Sequence, residues 1–345
     1  MRPILMDADV MSEPRNLIEV EDLRTHFFTD EGVVKAVDGV AFTIPAGKTV
    51  CVVGESGSGK SMTGRSILNM IPYPGRILEG AVKWRPNRAE PTNLLSLDPK
   101  GKAIRAIRGN DIALISQEPM AALSPVHTIG NQMVETIRLH LGKGKAEARE
   151  RAAAMLAKVG IPKPELRLDQ YAFQLSGGMR QRVCIALAVA CEPKLLIADE
   201  PTTALDVTTQ ANILDLFQEL GDDLGVSILF ITHDLGVVAE IADQVVVMYL
   251  GQVVEQGPVE QIFHDPLHPY TRALLGSVPR VARGRAKRLN TIRGMVPSPF
   301  DRPHGCLFHP RCDLFEAGLC DQSVPPLQRY GDDRTARCFK AGGAG

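Results

Sequence analysis

The sequence predicts an α/β protein with a mostly parallel central sheet, and two patterns indicate that class. Short continuous apolar runs, the kind that are buried on both faces of a sheet, recur along the chain with helical stretches between most of them. The first of these runs leads directly into a glycine-rich turn, GESGSGKS, which is followed by a helical pattern. Strands that alternate with helices in this way build parallel sheets.

The order of elements follows from these patterns. Strands are predicted at the apolar runs TVCVVG (residues 49–54), DIALIS (111–116), LLIAD (195–199), VSILFIT (226–232) and QVVVMYL (244–250), and helices at 146–159 and 208–220. Residues 1–17 have mixed charge and predict a leader, and a strand-like pattern begins at Ile18. Residues 118–175 lack an apolar strand run and predict a helical lobe. Beyond residue 275, prolines, glycines and cysteines indicate a small loop-rich appendage, residues 276–345.

Composition narrows the class of protein. The 345 residues suggest about two domains, and 44% hydrophobic residues exclude a disordered chain. The 39 basic and 40 acidic residues give a net charge of −1, so a whole-chain basic field for nucleic acid is excluded. No apolar stretch approaches the roughly 18–20 residues of a membrane span, and the N-terminus is a poor secretory signal. We therefore expect a soluble, cytoplasmic chain.

The turn GESGSGKS fits the G-x-x-x-x-G-K-[ST] pattern of a phosphate-binding loop. Its glycines let successive backbone N–H groups point at phosphate oxygens, next to the positive end of the following helix. Lys60 can reach the β- and γ-phosphates, and the Ser61 hydroxyl can ligate Mg²⁺. A glycine turn without a ligand is the alternative. The predicted nucleotide-binding residues are Gly54, Glu55, Ser56, Gly57, Ser58, Gly59, Lys60, Ser61 and Met62.

Two carboxylates end the strand LLIAD. Asp199 and Glu200 lie at the carboxyl end of that strand, where an open α/β sheet presents its ligand-binding groups. We expect Asp199 to hold Mg²⁺ and Glu200 to act as general base on the attacking water. For these residues taken alone, a surface acidic pair is the alternative.

Three further motifs indicate which class of phosphate-loop protein this chain belongs to. LSGGMRQR begins at Leu175 and places Ser176 and Gly177 at a helix N-terminus, where a hydroxyl and free N–H groups face phosphate. Gln117 follows the strand DIALIS, and His233 follows the strand VSILFIT. A structural histidine is the alternative for His233 taken alone.

Over residues 18–275, these motifs in this order resemble the ATP-binding subunit of ATP-binding-cassette (ABC) transporters. The resemblance implies a P-loop NTPase core with an antiparallel β subdomain and a helical lobe. It implies two subunits that face head to tail, with each ATP between the phosphate loop of one and the LSGGMRQR signature of the other. The residues that it assigns to the partner's ATP are Ser176, Gly177, Gly178 and Gln181.

The family also implies single roles. His233 would contact the γ-phosphate, Gln117 would sense Mg²⁺ and the attacking water, and Asp206 would couple the two sites across the interface. The adenine would stack on Phe27 or Phe28. The cofactors implied are ATP and Mg²⁺.

Local sequence resembles one group within the family. AVDGVAFTI, EPMAALSP, ADEPTTALDVTTQ and HPYTRALL (residues 268–275) are similar to the ATPase subunits of oligopeptide, dipeptide and nickel importers. That resemblance implies two membrane permeases, a paralogous ATPase as the other half of the dimer and an external solute-binding protein, at the cytoplasmic face of the inner membrane. The alternative is a soluble ABC-type ATPase in nucleic-acid maintenance or translation. The 116 residues from Lys60 to Ser176 are too few for the long insertions of DNA-repair relatives.

The appendage carries Cys306, Cys312, Cys320 and Cys338 in a C-x5-C-x7-C-x17-C pattern. These spacings lack the C-x2-C hooks of most zinc sites, and disulfides are disfavoured in a reducing compartment. Four cysteines suit the ligand count of a [4Fe–4S] cluster, and the resemblance to the peptide-importer group implies the same cofactor. Zinc and unligated thiols are the alternatives. The basic run from Arg280 to Arg293 is interpreted as a solvated linker, with contact to anionic headgroups or a permease loop as the alternative.

Overall fold

The computed structural model describes residues 16–86, 90–118, 122–203, 205–278 and 292–342. The strands within these ranges are β1 Asn16–Thr29, β2 Gly32–Pro45, β3 Thr49–Val53, β4 Gly75–Trp84, β5 Thr92–Asn93, β6 Ile112–Ile115, β7 Leu195–Asp199, β8 Ser227–Ile231, β9 Gln244–Tyr249, β10 Gln252–Pro258, β11 Gln328–Arg329 and β12 Thr335–Ala336. The helices are α1 Lys60–Ile67, α2 Lys102–Ile107, α3 Ile129–Leu141, α4 Lys145–Lys158, α5 Pro164–Leu168, α6 Gly177–Val189, α7 Val207–Leu224, α8 Leu235–Ile241, α9 Val259–His264 and α10 Pro269–Gly276. Residues 1–15 of the expected leader and 280–291 of the basic run lie outside the described ranges.

The predicted parallel sheet is confirmed. In the described part of the chain it has the strand order β11-β12-β10-β9-β3-β8-β7-β6. The five strands β9, β3, β8, β7 and β6 run parallel, and they are the five apolar runs of the sequence. Strands β10, β12 and β11 pair antiparallel at one edge. All parallel strands therefore end at the same side, where the glycine-rich turn also lies.

A second, antiparallel sheet is built by the N-terminal strands in the order β2-β1-β4-β5. Its long strands β1 and β2 pair along nearly their whole length, and β1 begins at Asn16, two residues before the predicted start. This sheet is the antiparallel subdomain that the family resemblance implies.

Two apolar clusters cover the two faces of the central sheet, because alternate side chains of each strand point to opposite sides. On β3, Cys51 and Val53 join the cluster that includes the helices between β6 and β7, whereas Val50 and Val52 join the cluster shared with the antiparallel sheet. The core thus ties the helical segment and the antiparallel sheet to the strands that carry the site.

The segment between β6 and β7 is helical, as predicted. It contains α3, α4, α5 and α6, and α6 follows a 3-10 turn at Ala172–Gln174. Alanines at helical spacing let α4 pack closely, with Ala148 and Ala152 fully buried. No helix within the described ranges is both long and apolar enough to cross a bilayer.

The C-terminal appendage packs against the central sheet and adds a strand to it. Strand β12 pairs with β10 through Glu255 opposite Ala336, and the Arg334 guanidinium donates to the fully buried Glu255 carboxylate at 2.9 Å. The same carboxylate accepts the backbone N–H groups of Leu267 and His268. These contacts lock the appendage against the start of α10.

Candidate functional site

The glycine-rich turn, residues 54–61, connects β3 to α1, as the phosphate-loop pattern requires. Gly54 and Gly59 adopt positive φ angles of 149° and 99°. A Cβ at Gly54 would collide with the Met248 carbonyl oxygen, and one at Gly59 with that of Ala36. Only glycine lets the chain curl this tightly against its neighbours.

The side chain of Lys60 lies inside this loop. Its ammonium donates to the carbonyl oxygens of Gly54 at 2.8 Å and Glu55 at 3.1 Å, and the residue is buried. Burial lowers the pKa of Lys60, an effect that Glu200 and Asp199 partly offset. A positive charge enclosed by backbone is placed to meet a phosphate group.

Ser61 and Asp199 meet across the mouth of the loop. The Ser61 hydroxyl donates to Oδ1 of Asp199 at 2.7 Å, although the two residues lie 138 positions apart. Burial raises the pKa of Asp199, and the hydrogen bond from Ser61 opposes that rise. A hydroxyl and a carboxylate at one point are oxygen donors of the kind that Mg²⁺ prefers, so these residues fit the predicted metal role.

Glu200 collects the other predicted catalytic side chains. Its Oε2 accepts from Gln117 Nε2 and from the Thr203 hydroxyl, both at 3.0 Å, and its Oε1 forms a 3.2 Å hydrogen bond with His233 Nδ1. The backbone of Glu200 is left-handed, with φ 47°, and its N–H donates to the Ile231 carbonyl oxygen. Strained backbone of this kind is common at functional sites.

The electrostatics suit an ionised carboxylate. Partial burial would raise the pKa of Glu200, but hydrogen bonds from His233 and Thr203 outweigh it and leave the pKa below its usual value. The structure thus brings together Gln117, Glu200 and His233, three residues that the sequence singles out separately. Thr203 is a donor that sequence reasoning missed, although it lies three residues after Glu200 in the EPTT stretch.

The signature residues form a separate group. Ser176 is exposed and is the N-cap of α6, where its hydroxyl accepts the Met179 N–H at 3.3 Å. No hydrogen bond in the described chain joins Ser176 to the phosphate loop. Gly177 is exposed beside it, Gly178 packs against Thr209, and Gln181 is buried. The first turn of α6 therefore presents polar groups outward.

Asp206 is exposed and caps α7. Its carboxylate accepts the Thr209 N–H at 3.0 Å and the Thr209 hydroxyl at 2.7 Å, which together lower its pKa. On the same helix, Gln210 donates to Asp234 at 3.3 Å, next to His233. Sequence reasoning missed this link between the Asp206 helix and the His233 loop.

The two candidate aromatic residues of β1 differ in exposure. Phe27 is half-buried, close to Ile71 and Gly75. Phe28 is 42% exposed, with the Arg76 guanidinium 5.8 Å from its ring centre. Stacking of adenine on either ring stays a prediction.

The four cysteines of the appendage line one cavity, together with His268 and Phe308. Burial raises the pKa of the Cys306 thiol to about 11. However, the described residues contain no group of three or more His, Cys, Asp or Glu side chains that is arranged to hold a metal ion. The expectation of a metal centre at Cys306, Cys312, Cys320 and Cys338 is therefore not confirmed. The other three cysteines, Cys51, Cys184 and Cys191, are buried free thiols.

The HPYT stretch touches the phosphate loop. His268 caps α10, and burial lowers its pKa to about 3, so its neutral Nδ1 accepts the Tyr270 N–H at 3.0 Å. The Tyr270 hydroxyl in turn accepts the Glu55 N–H at 2.8 Å. Arg311 of the appendage donates to both carboxylate oxygens of Glu55. Neither contact was foreseen from the sequence.

The sequence matches two known protein families and several curated proteins. A family described as ABC transporter matches residues 37–203, and one described as oligopeptide/dipeptide transporter, C-terminal region, matches residues 254–320. The oligopeptide transport ATP-binding protein AppD of Bacillus subtilis is 49% identical over 324 residues, which are 94% of this chain and 96% of that protein. The dipeptide transport ATP-binding protein DppD of Escherichia coli is 45% identical over 322 residues, 93% of this chain and 96% of that protein.

A solved structure supports the fold. The ATP-binding cassette MJ0796, in a dimeric post-hydrolysis state bound to ADP and Pi, aligns with a TM-score of 0.61 and 25% identity. The alignment covers 70% of this chain and 98% of that one.

Proposed function

Because the chain belongs to the ABC transporter family of ATP-binding proteins, we propose that it is the ATP-hydrolysing subunit of an importer for dipeptides or oligopeptides. Two relatives that resemble it over more than nine-tenths of both chains are a dipeptide and an oligopeptide transport ATP-binding protein. The match of its appendage to the oligopeptide/dipeptide transporter C-terminal region supports the same group. Nothing in the comparisons favours a role in nucleic-acid maintenance or translation.

One observation supports ATPase activity most strongly: the phosphate loop lies next to the carboxylate of Glu200, which three hydrogen-bonding side chains orient. The loop N–H groups and Lys60 would bind the phosphates of ATP, and Ser61 and Asp199 would hold Mg²⁺. The metal would neutralise charge on the phosphate oxygens. Glu200 is kept ionised and fixed by Gln117, Thr203 and His233, so it can take a proton from an attacking water.

ATP binding and hydrolysis would act on transport by joining and releasing two ATPase subunits. The exposed N-terminus of α6, with Ser176 and Gly177, would be a phosphate-binding half-site, and no hydrogen bond in the described chain joins Ser176 to the chain's own loop. ATP would bridge this half-site to the phosphate loop of a paralogous ATPase, and loss of the γ-phosphate would release the pair. Asp206, exposed at the start of α7, would lie at that interface.

The subunit would work at the cytoplasmic face of the cell membrane. Two membrane permeases would receive the closing motion through the helical lobe, and an external solute-binding protein would deliver the peptide. The proposed division of the chain is an ATPase domain of residues 18–275 and an extension of residues 276–345.

A [4Fe–4S] cluster in the extension remains our proposal. The four cysteines line one cavity although no three are gathered around a single ion. Four cysteines match the ligand count of such a cluster, and their spacings lack the C-x2-C hooks of most zinc sites. Purification without oxygen, followed by iron and sulfide quantitation, tests it. We expect iron and sulfide to be lost in Cys306→Ser and kept in Cys191→Ser, and iron-free wild-type protein would refute the cluster.

The transport function is tested by affinity capture of the tagged chain from detergent-solubilised membranes. We expect two permeases and a second ATPase to come with it, and the captured complex to hydrolyse ATP faster when peptide-loaded binding protein is added. Capture without any permease would refute the transport role.

A further inference from the structure

Arg311 of the extension is tied to the phosphate loop by an unusually complete set of contacts. Its guanidinium donates to both oxygens of the Glu55 carboxylate, at 2.7 and 3.0 Å, and its side chain is only 3% exposed. Its Nε donates to the Arg293 carbonyl oxygen at 2.9 Å. Its charge lies over the rings of Tyr249 and Phe308, at 5.8 and 5.9 Å. A planar, bidentate and shielded pair of this kind fixes orientation as well as distance.

Glu55 occupies a critical place in the loop. It directly follows Gly54, and the carbonyl oxygens of both residues accept hydrogen bonds from the ammonium of Lys60. Its N–H donates to the Tyr270 hydroxyl. Glu55 is thus held by its carboxylate, its N–H and its carbonyl group. Two of these three contacts come from residues that lie more than 200 positions along the chain.

The turn that presents Arg311 is itself rigid. It is the 3-10 turn His309–Arg311, closed by backbone hydrogen bonds from His309 to Cys306 at 3.0 Å and from Cys312 to His309 at 3.2 Å. Phe308, at its start, is buried against Tyr249 and Tyr270. Arg311 therefore reaches the loop from a fixed platform on the cassette core.

We propose that Arg311 is a positioning residue for ATP binding, which acts through Glu55 to hold the phosphate loop in its phosphate-binding shape. A loop that is ordered before binding loses less conformational entropy when the ligand arrives, so affinity rises. The Arg311 guanidinium acts on the site through Glu55, because it is paired with the Glu55 carboxylate and packed over the rings of Tyr249 and Phe308. The inference rests on the proposed function, since it assumes that the loop binds ATP.

The test compares full-length variants by calorimetric titration with MgATP. Arg311→Ala should raise the Kd roughly tenfold, because a partly buried bidentate pair is lost. Arg311→Lys, which keeps the charge without the fork, should restore part of the affinity. The matched control is Arg293→Ala in the same extension: the Arg293 side chain is 83% exposed and pairs with the exposed Asp313. Its backbone carbonyl remains for Arg311, so its Kd should equal that of the wild type.

Steady-state ATPase kinetics of the captured complex distinguish a positioning role of Arg311 from a general effect on the stability of the protein. Arg311→Ala should raise the KM for ATP by a similar factor and leave kcat within about twofold, since saturating ATP reorders the loop. Glu55→Gln removes the same pair from the other side, and the double variant should bind no more weakly than Arg311→Ala alone.

Wild-type affinity in a folded Arg311→Ala protein would overturn the proposal. If that variant does not fold, Glu55→Gln decides, and an unchanged Kd there overturns it equally. Failure of the wild-type chain to bind MgATP would instead refute the proposed function, so the two failures are distinguishable.

Discussion

Replacing Glu200 with glutamine should separate ATP binding from ATP hydrolysis. The two oxygens of Glu200 face different partners: Oε2 accepts from Gln117 and Thr203, and Oε1 meets His233 Nδ1. A glutamine can place its carbonyl oxygen at the first position and its amide nitrogen at the second, because a neutral histidine can accept there. The geometry is preserved, and the basicity is lost.

The size of the effect follows from the role of a general base. Such a group contributes typically about 100- to 10,000-fold to a rate, or roughly 3–5 kcal/mol in the activation free energy. Glu200→Gln should therefore lower kcat of the captured complex by about this factor. The Kd for MgATP, measured by titration of the isolated chain, should stay within about threefold of the wild type.

Glu192→Gln is the matched control, because it makes the same chemical change at another left-handed backbone position. Glu192 has φ 53° and pairs with Arg151, away from the phosphate loop. Its ATPase rate should be unchanged. Near-normal turnover in Glu200→Gln would remove Glu200 from the role of base.

Three other substitutions test separate parts of the structure. Gly59→Ala should abolish MgATP binding in calorimetry, because its Cβ would collide with a backbone carbonyl oxygen and because the position has a φ of 99°. Gly144→Ala, where an added Cβ has no neighbour within contact distance, is the control. Near-wild-type affinity of the Gly59→Ala variant for MgATP would refute the loop geometry. Ser61→Ala should raise the Mg²⁺ concentration for half-maximal ATPase roughly tenfold, and an unchanged Mg²⁺ titration would exclude Ser61 from the metal site. Phe308→Ala should lower the free energy of unfolding in urea by about 3 kcal/mol, because its ring is buried between two tyrosines. Phe315→Ala, at an exposed ring, should change it little, and equal losses in the two variants would mean that the extension does not share the core.

The parts of the fold that could be predicted were those with a local signal. The strands β3, β7 and β8 are continuous apolar runs because both their faces are covered, and such runs are visible without any partner. The phosphate loop has fixed spacing because Gly54 and Gly59 must adopt φ angles that other residues avoid. Such constraints act within a few residues, so the sequence displays them.

Contacts between distant residues could not be predicted in the same way. The pair of Arg311 and Glu55 joins residues 256 positions apart, and neither residue type signals its partner. Thr203 could have been suspected, since a hydroxyl three residues after Glu200 can fold back on it. Strand β12 has only two residues, too few for a periodic pattern, so its pairing with β10 was not visible.

The central claim is that this chain carries two half-sites for ATP and completes them only with a second subunit. Its most direct test is the mass in solution, by light scattering, of the Glu200→Gln chain mixed with the proposed partner ATPase. We expect a two-chain complex in MgATP and separate chains in MgADP. A mass that is the same in both nucleotides would contradict the claim.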